Sequence, residues 1–155
     1  MSAGAIYAYF PGKAEIIVDV ASRVLGRRIA NLESATSNKL LLPPSEVVRA
    51  ILTGLKEEIG NPSVIPQVWG EAVVDAALRS LANNAFSGLQ NALTRYLQNW
   101  SVQEHGMDAE TAATRARELA PLLVSVCQGY ILQLALVDDF DSDFYLSRVI
   151  ENLPR

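Results

Sequence analysis

Residues 2–13 read Ser-Ala-Gly-Ala-Ile-Tyr-Ala-Tyr-Phe-Pro-Gly-Lys, and a new helical pattern, Lys13-Ala14-Glu15-Ile16-Ile17, begins at once. Tyr7, Tyr9 and Phe10 close a segment otherwise made mostly of small residues, and Pro11-Gly12 stops it. A short, slim helix ending in an aromatic wedge and a sharp turn suits an element pushed into a DNA groove. So short a segment is not a stable helix in water by itself. It needs other helices to hold it.

Outward from that turn the chain reads as helices. Ile16, Ile17, Val20, Val24 and Leu25 follow the spacing of one helical face, predicting a helix from Lys13 to about Ala35. Pro43-Pro44 breaks the chain, with Ser45 as the expected N-cap of a helix carrying Val47, Val48, Ile51, Leu52, Leu55 and Ile59. Gly60-Asn61-Pro62 ends it. A further helix is expected over Pro66–Leu81, with a break at Asn83-Asn84. Phe86, Leu89, Leu93, Tyr96, Leu97 and Trp100 then recur at three and four, up to Gly106.

Asp108 reads as the N-cap of a long helix over 109–138. One side of it carries Leu119, Leu122, Leu123, Val126, Cys127, Tyr130, Ile131 and Leu134, and the other adds Ala120, Val124, Leu132, Ala135 and Leu136. A helix apolar nearly all round must be covered all round. In a chain of 155 residues that implies a partner subunit on one face. Asp141 or Ser142 caps a last helix over 142–153, with Phe144, Leu146, Val149, Ile150 and Leu153 as its stripe. No strand signal or repeat appears; the expected class is an all-α multi-helix bundle.

Composition and charge agree with this. The chain is long enough for one buried core and short enough for one domain. The longest apolar run, Ile131–Val137, contains Gln133, and no run approaches the roughly 18 residues of a membrane span. A lone cysteine, Cys127, excludes an internal disulfide and suits a reducing cytoplasm. The net charge of −4 is unevenly spread. Residues 1–30 carry four basic and two acidic side chains, net +2, and the remainder nine against fifteen, net −6. A basic end on an acidic body is the asymmetry of a DNA-reading head on a regulatory body.

The opening dozen resembles the recognition helix and following turn of the TetR (tetracycline-repressor-like) family of bacterial transcription regulators. The shared pattern is Ser-x-Gly-(small)-(Ile/Leu)-Tyr-x-Tyr/His-Phe-x-x-Lys, met here from Ser2 to Lys13. The resemblance implies a helix-turn-helix whose first helices, about 45 residues, precede Met1. It divides the chain into a remnant of the DNA-binding head, 1–35, and a ligand-binding and dimerisation domain, 36–155. It implies a repressor whose operator binding is switched by a small, largely apolar inducer. The long and last helices resemble the family's dimerisation pair, a four-helix bundle across a two-fold axis, which makes the protein a homodimer. Gly129 lets two helices approach closely, either across that axis or within one chain.

Carried over by position, the resemblance places Ser2, Ala3, Gly4, Tyr7 and Tyr9 against double-stranded operator DNA and Lys13 on a phosphate. In the body, aromatic walls with a few polar groups suit an inducer pocket. The candidates are Trp69, Phe86, Gln90, Tyr96, Trp100, Cys127 and Tyr130, with Gln67, Glu71, Gln128 and Gln133 as further polar groups. Each of these aromatics also suits an ordinary core position.

No catalytic pattern stands out. His105 and Cys127, the only His and Cys, lie 22 positions apart, and no His/Cys metal set or phosphate-cradling glycine loop occurs. The Asp138–Asp143 stretch lacks the central glycine and closing glutamate of a calcium loop. A non-enzymatic role without cofactor or metal is expected. The alternative to a regulator is a helical dimer module that does not bind DNA and carries or senses apolar small molecules.

Overall fold

The computed structural model describes Gly26, Arg27, Ala30, residues 41–58 and residues 61–154. Residues 2–13, and most of the helix expected over 13–35, lie outside the described residues, although Gly26, Arg27 and Ala30 are helical. Among the described residues the protein is all-α: α1 (Pro44–Glu58), α2 (Val64–Val74), α3 (Ala76–His105), α4 (Ala109–Leu136) and α5 (Ser142–Asn152).

α3 and α4 share the largest interface and form the spine. Ala112, Ala116 and Ala120, one turn apart on α4, are all but fully buried, so the two backbones approach closely there. Leu89, Ala92, Leu93, Tyr96, Leu97 and Trp100 of α3 fill the other side. α1 adds Val47, Val48, Leu52 and Leu55 to the same core. The helix ends follow local chemistry. Gly106, at φ 60, closes α3, its N–H donating to the Val102 carbonyl at 3.1 Å. The Asp108 carboxylate accepts from the Glu110 and Thr111 amides and opens α4. The Asp141 carboxylate accepts from the Phe144 amide at 2.8 Å and opens α5.

Several expectations are corrected. Ser45 is not the cap of α1: Pro44 is its first residue, the Pro43 carbonyl accepts from Glu46 and Val47, and Ser45 is buried one residue further in. Proline suits a first helical position because it has no N–H to leave orphaned. The expected helix over Pro66–Leu81 is two helices, and the break falls at Asp75 rather than at Asn83-Asn84. Asp75 is extended (φ −96, ψ 120), and its carboxylate accepts from the Leu78 amide at 2.9 Å. The Arg79 guanidinium donates back to the Ala72 and Val73 carbonyls, which α2 leaves open at its end. Asn83 and Asn84 are exposed, and each costs at most about 0.7 kcal/mol of helix propensity, too little to stop α3.

The stripe of α5 is as expected except at its start, where Tyr145 takes the place of Phe144. Tyr145, Leu146, Val149 and Leu153 pack on the core with Ile150, while Phe144 is 62% exposed beneath the Arg148 guanidinium, 5.5 Å from its ring centre. The reading of apolar runs is also corrected. Ser125, Gln128 and Gln133 interrupt α4 without charge, so an 18-residue window of this helix reaches a mean hydropathy of 1.7 and is long and apolar enough to cross a membrane by composition. Only a third of that window is buried in the chain (33%). Leu122, Leu132, Leu136 and Val137 are exposed on its outer side.

Candidate functional site

The six head residues, Ser2, Ala3, Gly4, Tyr7, Tyr9 and Lys13, lie outside the described residues. The seven candidates in the body are all placed. Six belong to one continuous apolar core or pack against it, and Gln90 is exposed, its backbone carbonyl accepting from the Thr94 hydroxyl at 2.8 Å. The six do not line one wall. Their specific contacts fall at four places along the bundle.

The first is where α2 crosses α3. Trp69 and Phe86 face each other with ring centres 6.0 Å apart, tilted by 47°, and both are only partly buried. The elbow at Asp75 creates this contact, because an unbroken helix would carry Trp69 along the axis of α3 instead of back across it. Gln67 and Glu71, on the same helix, are exposed.

The second is the middle of α3. Tyr96 is completely buried, and its hydroxyl donates to the Leu42 carbonyl in the segment entering α1. Burial pushes its phenol well above the ordinary tyrosine range, so it remains a neutral donor. This tyrosine fastens the start of the body to its spine. The third is the end of α3, where Trp100 and His105 meet edge to face at 4.6 Å.

The fourth is the corner between α4 and α5. Tyr130, Phe140 and Tyr145 form a three-ring cluster with centres 5.6 to 5.9 Å apart. The Tyr145 hydroxyl donates to the Val126 carbonyl at 3.0 Å. A Cβ on Gly129 would lie 3.3 Å from that hydroxyl, so the close approach at this glycine is within one chain, between α4 and α5. Cys127 is buried there, and burial pushes its thiol up to about 12. Tyr145 is raised by partial burial first and by the neighbouring Cys127 second. Phe140 and Tyr145 were not among the candidates. Tyr145, however, completes an i, i+3, i+4, i+7 stripe with Ser142, Leu146 and Val149, a signal outweighed by the bulkier Phe144 beside it.

Among the described residues, no group of three or more His, Cys, Asp or Glu is placed to hold a metal ion. The chain is similar to nucleoid occlusion factors SlmA of Actinobacillus pleuropneumoniae, in serotypes 5b, 3 and 7 alike: 28% identical over 136 residues, covering 86% of this chain. It spans 64% of the length of those relatives. No family model matches the chain, and no solved structure matches it. At 86% of the chain, the likeness extends through most of the helical body.

Proposed function

We propose that this chain is the greater part of a DNA-binding transcriptional regulator of TetR type, a repressor without enzymatic activity, cofactor or metal. Residues 1–35 belong to its head and residues 36–155 form its sensing and pairing body. One observation carries the reading: the chain bears the Ser2–Lys13 motif upstream of an all-α body, and its similarity to nucleoid occlusion factors extends over 86% of its length. The name of those relatives, with its reference to the nucleoid, supports DNA as the partner.

The side chains support two finer elements of the reading. The homodimer forms through the outer face of α4 and through α5. The exposed side of α4 is polar in its first half, with Glu110, Arg117 and Glu118, and apolar in its second half, with Pro121, Leu122, Leu132 and Leu136. An apolar face of this kind, left open by the chain itself, calls for a partner. The apolar inducer enters at Trp69 and Phe86, the candidate rings that the core leaves partly open. The fully buried Tyr96 and the ring-clustered Tyr130 act as framework. Binding there with different affinity in two states of the body would alter the separation of two heads on a two-fold operator.

Gel shift of the full-length protein on DNA from its own promoter region tests the reading. Retarded bands that compete with unlabelled specific DNA are expected. Absence of binding at low salt, with the N-terminal helices present, would remove the regulator from consideration in favour of a non-DNA-binding carrier or sensor.

A further inference from the structure

The last helix is fastened to α1 at both of its ends. At one end the Lys56 ammonium, in the last turn of α1, donates to the Ser142 hydroxyl at 2.9 Å and lies 3.8 Å from the Asp143 carboxylate. At the other end the Ser45 amide, in the first turn of α1, donates to the Pro154 carbonyl at 3.3 Å. α1 and α5 therefore run antiparallel for their whole shared length. Ser45 and Ser142 are both buried, at 3% and 8% exposure, while the Lys56 side chain is half exposed.

The two ends differ in kind. The Ser45–Pro154 bond joins two backbones and is available to almost any sequence. The Lys56–Ser142 bond depends on one side chain. Asp143 is 92% exposed on its side chain and Lys56 50%, so their attraction is heavily screened. The bond to the buried, neutral Ser142 hydroxyl is the stronger part, because a buried hydroxyl that loses its partner is not resolvated. It also places a cation at the N-terminus of α5, where a helix dipole disfavours one; the Asp141 and Asp143 carboxylates offset that cost.

We propose that Lys56 is a strap that holds α5 on α1 and thereby couples the position of α1 to subunit pairing, an inference that rests on the pairing reading given above. α5 bonds to α4 through the Tyr145 hydroxyl and presents Phe144 outward. Releasing its N-terminal end from α1 moves the exposed Phe144, with Arg148 over its ring, relative to α4. α1 is also the helix that follows the head-proximal segment in sequence. A shift of α1 is then felt at the pairing face, and pairing in turn fixes α1, as thermodynamic linkage requires.

Amide hydrogen exchange read by mass spectrometry on the full chain tests the strap, and sedimentation of the same samples tests the coupling. In Lys56→Met, the amides of residues 142–152 are expected to exchange about fivefold faster, with α3 and the first half of α4 unchanged. Ser142→Ala is expected to give the same acceleration, the double variant no more than either single one, and Lys56→Arg close to the original protection. The dissociation constant of the pair is expected to rise by a similar factor in Lys56→Met. Unchanged exchange in α5, or equal acceleration in every helix, overturns the strap. Faster exchange in α5 with an unchanged dissociation constant overturns the coupling. If the unaltered chain sediments as a monomer at micromolar concentration, the pairing reading itself fails, and the exchange data still decide whether Lys56 holds α5.

Discussion

The hydroxyl of Tyr145 occupies the space that a side chain on Gly129 would need. A Cβ there would lie 3.3 Å from the oxygen, and the hydroxyl is held in place by its bond to the Val126 carbonyl one turn back along α4. Alanine in a helix interior is worth about 1 kcal/mol over glycine, but at this position that gain is set against a stretched or broken hydrogen bond. We therefore expect Gly129→Ala to be neutral or destabilising in the native background, and stabilising by about 1 kcal/mol once Tyr145→Phe has removed the oxygen. A double-mutant cycle by urea denaturation reads the coupling, expected at about 1 kcal/mol. Simple additivity would show that the two residues do not compete for the same space.

The caps that end α3 and begin α4 were legible from residue type alone. Gly106 and Asp108 adopt the conformations their positions predict, because φ 60 favours glycine and an aspartate before a helix has amides to accept from. The elbow was hidden because Asp75 sits between Val73-Val74 and Ala76-Ala77, inside an apolar stretch that reads as continuous helix. The Asp75 cap on the Leu78 amide and the Arg79 bonds back to α2 show why the chain bends there. The aromatics were legible as buried but not as separate. Periodicity assigns Tyr96, Trp100 and Tyr130 to inward faces, yet it cannot tell that one meets a backbone carbonyl, one a histidine and one a ring cluster.

Asp108 gives the fold a marker at acid pH. Bonds from the Thr111 amide and hydroxyl, at 2.9 and 2.7 Å, and from the Glu110 amide at 3.1 Å hold its carboxyl below the ordinary aspartate range. A carboxyl depressed in the folded state stabilises fully above its unfolded value, near 3.9, and its contribution disappears as pH falls through the lower folded value. The first turn of α4 should therefore keep its protection at pH 5 and fray only below the usual aspartate titration. Asp108→Ala should fray at all pH values. Carbon-detected NMR titration of the side chain gives the midpoint, and a midpoint at or above 3.9 would contradict the capping account.

Cys127 should behave as a buried apolar group. At pH 8 a thiol raised to about 12 has almost no thiolate, and its 6% exposure leaves little access. Reaction with a disulfide reagent is expected only through opening of the fold, at a rate that rises with urea. Cys127→Ala should cost about 1 kcal/mol from lost packing, and Cys127→Ser more, because its hydroxyl lacks an assured partner. Rapid labelling in native buffer would mean that the corner between α4 and α5 opens freely.

The outer face of α4 gives the most direct check on pairing. Leu136 is 72% exposed and Leu122 60%, so neither contributes much to the stability of an isolated chain. Leu136→Glu should leave the denaturation midpoint of a monomer within about 0.5 kcal/mol of its original stability. On a paired subunit the same change puts two carboxylates into an apolar contact about a two-fold axis, and each is then buried without a partner. We expect Leu136→Glu and Leu122→Glu each to shift sedimentation from dimer to monomer at micromolar concentration, while Glu110→Lys, on the polar half of the same helix face, leaves the dimer intact. Dimers that survive both leucine variants would place the pairing surface elsewhere on the molecule.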